Sequence, residues 1–228
     1  MGIISSLGQG VGRHVDALKK NCSGIKPIKL FTPSPGHIFP AGEIPNFRQT
    51  LNVPRTHEFA LLAAQEALSG TRGVPDSIIL GTTTGGIPLT EELLKKDEKD
   101  ADQYKYHSTA SVAEFLAGVL RCRGLVLTVT TACSSGAVAI KLACELLSSG
   151  KANCVLAGGA DALCRLTYYG FNSLQLIDVK VKQVAPHFGS EIGWIQPQSL
   201  NLNASSLHLL QNVTTTKALD RISGDHQV

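Results

Sequence analysis

At 228 residues, 43% hydrophobic and 17% charged, the chain has the length and apolar content of one compact α/β domain with a substantial core. Its net charge of +3 is too small and too scattered to argue for nucleic acid or an anionic membrane surface, and no run is long and apolar enough to span a bilayer. Six cysteines (Cys22, Cys122, Cys133, Cys144, Cys154 and Cys164) form no C-x-x-C pair and no metal-ligand spacing, so the economical expectation is reduced thiols in a cytoplasmic protein without a metal.

Residues 1–7 are apolar and glycine-led. Residues 12–20 predict a helix with Val11, Val15 and Leu18 on one side and His14, Asp16, Lys19 and Lys20 outward, which puts His14 in solvent. Residues 21–52 are punctuated by Pro27, Pro33, Pro35, Pro40 and Pro45, so an extended excursion is expected there, with His37 inside it and no partner for that side chain. Residues 55–69 form a clean amphipathic pattern, with Phe59, Leu62, Ala63, Glu66 and Ala67 in helical period and Gly70 and Gly73 beyond its end. His57, in the first turn, is expected to be solvated or capping. Two short patterns are read as accidental: the myristoylation-like start at Gly2, and N-x-S/T at Asn21, Asn203 and Asn212 with no signal peptide before them.

A short core strand is predicted over residues 76–81, followed directly by Thr82-Thr83-Thr84-Gly85-Gly86. Such a loop could cradle a phosphate, but it lacks the Lys-Ser/Thr of a P-loop and the G-x-G-x-x-G spacing, so the nucleotide reading is weak. Residues 90–106 mix charges of both signs densely, which predicts a solvated helix or flap. Residues 108–121 read as a helix faced with Val112, Phe115, Leu116, Val119 and Leu120, with Ser108 or Ser111 as N-cap.

The stretch that organises the chain is residues 125–140. Its first half is uncharged and β-branched, the pattern of a strand buried on both faces. From Ala137 to Leu147 the apolar positions run nearly all round a helix, interrupted only by Lys141, Glu145 and Ser148, so this helix is expected to be largely buried. Cys133 lies between the two. Free N–H groups and the positive end of the helix dipole favour negative charge there, hence a thiolate. A lone cysteine at a strand end is more often packing than chemistry. Small neighbours (Ala132, Ser134, Ser135 and Gly136) argue the other way, because they leave room beside the sulfur. Residues 152–160 form one more apolar strand, and the alternation of strands with helices argues a parallel sheet covered on both faces.

Thr131-Ala132-Cys133-Ser134-Ser135-Gly136 resembles the active-site motif of β-ketoacyl synthases, the condensing enzymes of fatty-acid and polyketide synthesis. Ser5-Leu7-Gly8, the loop at residues 81–86, Gly158-Gly159-Ala160-Asp161-Ala162 and Gly170-Phe171-Asn172-Ser173-Leu174 are similar to further family motifs, in family order, across residues 1–178. The resemblance implies an α/β thiolase-like fold, here its N-terminal half, with the C-terminal half missing. It also implies Cys133 as the nucleophile, no cofactor, and an acyl carrier protein bearing acyl or malonyl thioesters as partner; family members are homodimers.

Beyond residue 178 the family pattern stops. Pro186-His187-Phe188-Gly189 is only a faint echo, and residues 179–228 are expected to be a divergent, poorly packed tail after a truncated or frame-disrupted gene. In the family, two histidines and a lysine of the second half support decarboxylation. His187, His208 and His226 lie in no matching motif and inherit no role. Two alternatives stay open: a thiolase-like acyltransferase using acyl-CoA, and a non-catalytic half-synthase partner or remnant.

Overall fold

The computed structural model describes residues 1–32, 40–69, 74–174 and 177, and the backbone of 214–220. In chain order these form β1 (Gly2–Ser5), β2 (Gly8–Gln9), α1 (Val11–Lys19), β3 (Ile25–Pro27), β4 (Pro40–Gly42), α2 (Arg55–Leu68), β5 (Ser77–Gly81), α3 (Ile87–Lys95), α4 (Ala110–Leu120), β6 (Val126–Val129), α5 (Ser135–Ser148), β7 (Cys154–Ala160), α6 (Arg165–Ser173) and β8 (Thr214–Asp220). Single 3-10 turns occur at Ala101–Tyr104 and Ala132–Ser134.

The main sheet runs β2-β1-β8-β7-β5-β6, and β3 and β4 pair separately. β5 is parallel to both β6 and β7, whereas β8 is antiparallel to both its neighbours. Alternation along β5 divides the core. Ile78 and Leu80 join Ala60, Ala64, Val112 and Leu116 of α2 and α4 on one face. Ile79 joins Val129, Ala139, Ala143 and Val155 under α5 on the other. Period-2 side chains between two helical layers are what the uncharged strands predict.

Glu66, in register with the apolar positions of α2, is there for a reason. Its carboxylate accepts hydrogen bonds from the N–H of Ile3 in β1 (2.9 Å) and of Val11 at the start of α1 (2.8 Å). Gly10, the residue before α1, has no side chain to cap it, so Glu66 satisfies a free helix N–H from a neighbouring element.

Several expectations are corrected. His14 is buried, not solvated: its Nε2 lies 2.6 Å from the Ser5 hydroxyl and its Nδ1 2.8 Å from the Gly10 carbonyl oxygen. α1 therefore packs the face opposite to the one its pattern suggests, leaving Val15 and Leu18 exposed. β6 is a sheet edge rather than a strand buried on both faces, with Leu127 37% exposed and Leu125, just before it, 47%. α5 buries Ser135, Ala139 and Ala143 but presents Ile140 (41% exposed) and Cys144 to solvent. No described element covers either surface. The expected poorly packed tail fails for Thr214–Asp220, whose backbone occupies the slot between β1 and β7. Unpaired N–H and C=O groups on both sides of that slot reward any extended segment, and Thr214, Thr215 and Thr216 are β-branched. The rest of the tail, with His187, His208 and His226, and also His37, Gly70 and Gly73, lies outside the described residues.

His57 is the other correction. It is fully buried between Tyr106 and Phe115, with edge-on ring contacts at 5.0 and 5.5 Å. Ser111 spends its one hydroxyl proton on the carbonyls of Ser108 (2.6 Å) or Tyr106 (2.9 Å), so it accepts from His57 Nε2–H at 3.0 Å. His57 Nδ1 is then a bare lone pair with no partner among the described residues. Desolvation holds the ring neutral and lowers its pKa to about 4, against a smaller opposing effect of the Ser111 contact. Above pH 6.5 folded and unfolded chains are both neutral at this site. Below it the unfolded chain takes up a proton that the fold refuses, so stability falls as pH drops from 6.5 toward 4. Urea midpoints measured between pH 6.5 and 5 should show a loss of about 1.5 kcal/mol that His57→Gln, which keeps the donor to Ser111, does not show.

Candidate active site

Three parallel strands, β5, β6 and β7, end at Gly81, Val129 and Ala160, and the start of α5 is set down across those ends. The approach is backbone against backbone. A Cβ on Gly81 would come within 2.4 Å of the Ser135 carbonyl carbon and 2.5 Å of the Gly136 nitrogen, and one on Gly159 within 3.4 Å of the Gly136 Cα. At Gly81 only glycine allows the helix to sit this close.

Between β6 and α5 the chain turns through Ala132, Cys133 and Ser134. Ala132 adopts φ 52°, a left-handed conformation that costs a non-glycine residue on the order of 1 kcal/mol. Hydrogen bonds hold it: Ser135 Oγ donates to the Ala132 carbonyl at 2.7 Å and accepts from Thr131 N–H at 2.9 Å, while Ser134 Oγ donates to the Thr131 carbonyl at 2.9 Å. Cys133 projects from this elbow into solvent, one residue before the cap of α5. The site that sequence reasoning singled out is thus an exposed thiol on a constrained turn.

The threonine loop lies alongside. Thr82 N–H donates to the Val129 carbonyl at 3.1 Å, and Thr83 Oγ1 reaches the Ala132 carbonyl at 3.5 Å. The threonine donors of this loop are already taken. Asp161, directly after β7, accepts on Oδ1 from Thr82 Oγ1 (3.0 Å), Thr83 N (2.9 Å), Thr84 N (2.7 Å) and Thr84 Oγ1 (2.7 Å). The weak phosphate reading of this loop therefore has no free cradle to rest on. Asp161 is the residue sequence reasoning undervalued; its signal was an acid placed straight after the small residues Gly158-Gly159-Ala160 at a strand end.

No described basic side chain bonds Cys133. His14 is engaged by Ser5 and Gly10, His57 by Ser111, and His107 by Thr90 at 3.1 Å. Of the remaining thiols, Cys164 is buried, and burial pushes its pKa up; Cys22 and Cys144 are exposed, and Cys122 and Cys154 are half-buried. Among the described residues no three His, Cys, Asp or Glu side chains converge as a metal site, and no helix is long and apolar enough to cross a membrane.

Known proteins are similar to this chain in sequence and fold. The 3-oxoacyl-[acyl-carrier-protein] synthase 2 of Synechocystis is 25% identical over 202 residues, covering 79% of this chain and 49% of that protein. A highly reducing polyketide synthase of Cryptosporiopsis is 34% identical over 119 residues, covering 49% of this chain and 5% of that protein. Among solved structures, the ishigamide ketosynthase/chain length factor superposes with a TM-score of 0.71 at 27% identity, over 79% of this chain and 50% of that one. A ketosynthase of Xenorhabdus doucetiae, solved with its chain length factor, shares the fold at a TM-score of 0.70 and 20% identity, over 97% of this chain and 56% of that one. The chain spans about half the length of these synthases and a small part of the polyketide synthase. A family model described as the N-terminal domain of β-ketoacyl synthase matches residues 45–186, a range that takes in the glycine contacts, the Cys133 elbow and Asp161. With its three parallel strands β5, β6 and β7, its helices on both faces and that match, the chain belongs to the β-ketoacyl synthase N-terminal domain family and has the N-terminal part of a thiolase-like fold.

Proposed function

We propose that these residues form the acyl-accepting part of a β-ketoacyl-[acyl-carrier-protein] synthase of fatty-acid or polyketide synthesis, with Cys133 as nucleophile. One observation carries the reading: an exposed cysteine stands on a strained turn at the start of α5, inside the segment that matches the family. In the first step the Cys133 thiolate attacks the carbonyl carbon of an acyl thioester. The carbon–sulfur bond to the carrier breaks, and the departing carrier thiolate takes up a proton, leaving an acyl-enzyme. The developing oxyanion calls for backbone N–H donors, and the N–H of Cys133 is this chain's candidate for one of them.

The second step asks for more than these residues offer. Malonyl-carrier protein must lose carbon dioxide, and its enolate carbon must attack the acyl group. Family resemblance assigns stabilisation of that enolate to two histidines and a lysine of the second half. The described histidines of this chain are all engaged elsewhere. An acyl carrier protein is the fitting partner, because the Synechocystis relative is named for acting on one. The exposed edge at β6, with Ile140 and Cys144 open on α5 beside the Lys141–Glu145 pair, suits pairing with a second synthase chain, and six free cysteines suit a reducing cytoplasm.

Incubating the protein with an acyl-carrier protein thioester and mapping peptides by mass should find the acyl group on Cys133 and lose it in Cys133→Ala; acylation elsewhere, or none, would sink the nucleophile assignment. Condensation is a separate matter. The 228-residue chain with acyl- and malonyl-carrier protein should yield no detectable ketoacyl product, since enolate stabilisation is worth several orders of magnitude in rate. Measurable product from homogeneous protein would show that residues of this chain supply it.

A further inference from the structure

Asp161 gathers four donors on a single oxygen, and none of them belongs to the acyl-transfer step. A carboxylate holding two backbone N–H groups and two hydroxyls of one loop fixes that loop's shape firmly, because each such charge-assisted bond is roughly twice as strong as a neutral one. The loop in turn touches the chain on both sides of the strand-to-elbow turn. Thr82 N–H bonds the Val129 carbonyl at the end of β6, and Thr83 Oγ1 meets the carbonyl of Ala132, the residue held at φ 52°. The opposite side of the same loop is also confined. A Cβ on Gly85 would lie 2.7 Å from the Thr109 Cα, and one on Gly86 1.8 Å from the Tyr106 carbonyl oxygen. The loop is therefore clamped between the segment before α4 and the elbow, with Asp161 as the bolt.

We infer that Asp161 is a positioning residue for Cys133: by fixing residues 82–84 it holds Ala132 in its left-handed turn and so keeps the thiol at the start of α5. The inference rests on Cys133 being the nucleophile, but its test does not require any acyl transfer. Released from the loop, Ala132 relaxes toward an ordinary backbone conformation and Cys133 swings off the helix start. The thiol is then presented from a different place on the surface, and its accessibility to an attacking reagent changes with it. Asparagine at 161 keeps an oxygen where Oδ1 stands and so keeps its four donors, losing only the longer contact of Thr83 N–H to Oδ2 at 3.2 Å, which separates hydrogen-bonded positioning from a role for the charge.

The experiment is brief, limiting iodoacetamide treatment of the folded 228-residue chain, with rates at Cys133, Cys144 and Cys164 read by peptide mass. Cys144 is exposed and Cys164 buried, so they serve as reference thiol and folding sensor. Asp161→Ala should lower the Cys133-to-Cys144 rate ratio by about three- to tenfold while Cys164 stays protected, and Asp161→Asn should stay within about twofold of the parent. An unchanged ratio in Asp161→Ala with Cys164 protected overturns the inference, as does an Asn variant that falls as far as Ala. Should Asp161→Ala expose Cys164, Thr83→Val decides: it removes the contact to Ala132 alone, and a ratio equal to the parent's overturns the inference. A parent protein in which Cys133 reacts no faster than Cys144 would instead overturn the nucleophile reading itself.

Discussion

The close seat of α5 on the ends of β5 and β7 is the constraint on which the site depends. At Gly81 the backbone of α5 lies where a side chain would stand, and Gly159 is in near contact with Gly136 beside it. A helix set this near the sheet cannot be reached from β6 by a gentle loop, because only residues 130–134 separate strand from helix. The chain therefore turns sharply, Ala132 takes a left-handed conformation, and the next residue is thrown outward. That residue is Cys133. Exposure of the thiol follows from glycine packing beneath it more than from anything the cysteine does itself.

Much of the fold is legible in the sequence because its signals are local. Uncharged runs at residues 77–81 and 152–160, and the 3.6-residue period of residues 55–69, report the very contacts that later bury them. The Cys133 turn is legible for the same reason, since its small residues and the helix after it are contiguous. Histidines are where local reading misleads. His14 and His57 sit at positions a helical wheel marks as polar, yet Ser5 and Ser111, nine and 54 residues away in sequence, give each a buried partner. Polarity predicts exposure only when no distant hydrogen-bond partner is waiting. Asp161 is hidden likewise, as its donors lie 77 to 79 residues earlier.

β8 failed to show for a different reason. Thr214–Asp220 has no sustained amphipathic pattern, which is the signal sequence reading relies on. Its place is settled by backbone bonding instead: β1 and β7 are both short of a neighbour without it, and the pairing runs from Gly2 to Ile4 on one side and from Cys154 to Ala160 on the other. It is also what joins β1 to the parallel strands, so the N-terminal strand belongs to the main sheet only through it.

The disagreement between pattern and burial at β6 and α5 carries its own information. Leu125, Leu127 and Ile140 belong to runs whose composition suits a doubly covered strand and an all-round buried helix, yet they are open to solvent. Sequence composition reflects the surroundings in which a segment works, while the burial of one chain reflects only what that chain can cover. An edge strand carrying unpaired backbone groups beside apolar side chains is also a hazard that monomers blunt with lysine, proline or a bulge, and β6 has none of these in Val126-Leu127-Thr128-Val129. Apolar burial is worth about 25 cal/mol per Å². A second α/β unit laid on this edge and helix therefore gains both backbone pairing and apolar contact, and the surface that bears Cys133 is then bordered by protein on the side that is open in this structure.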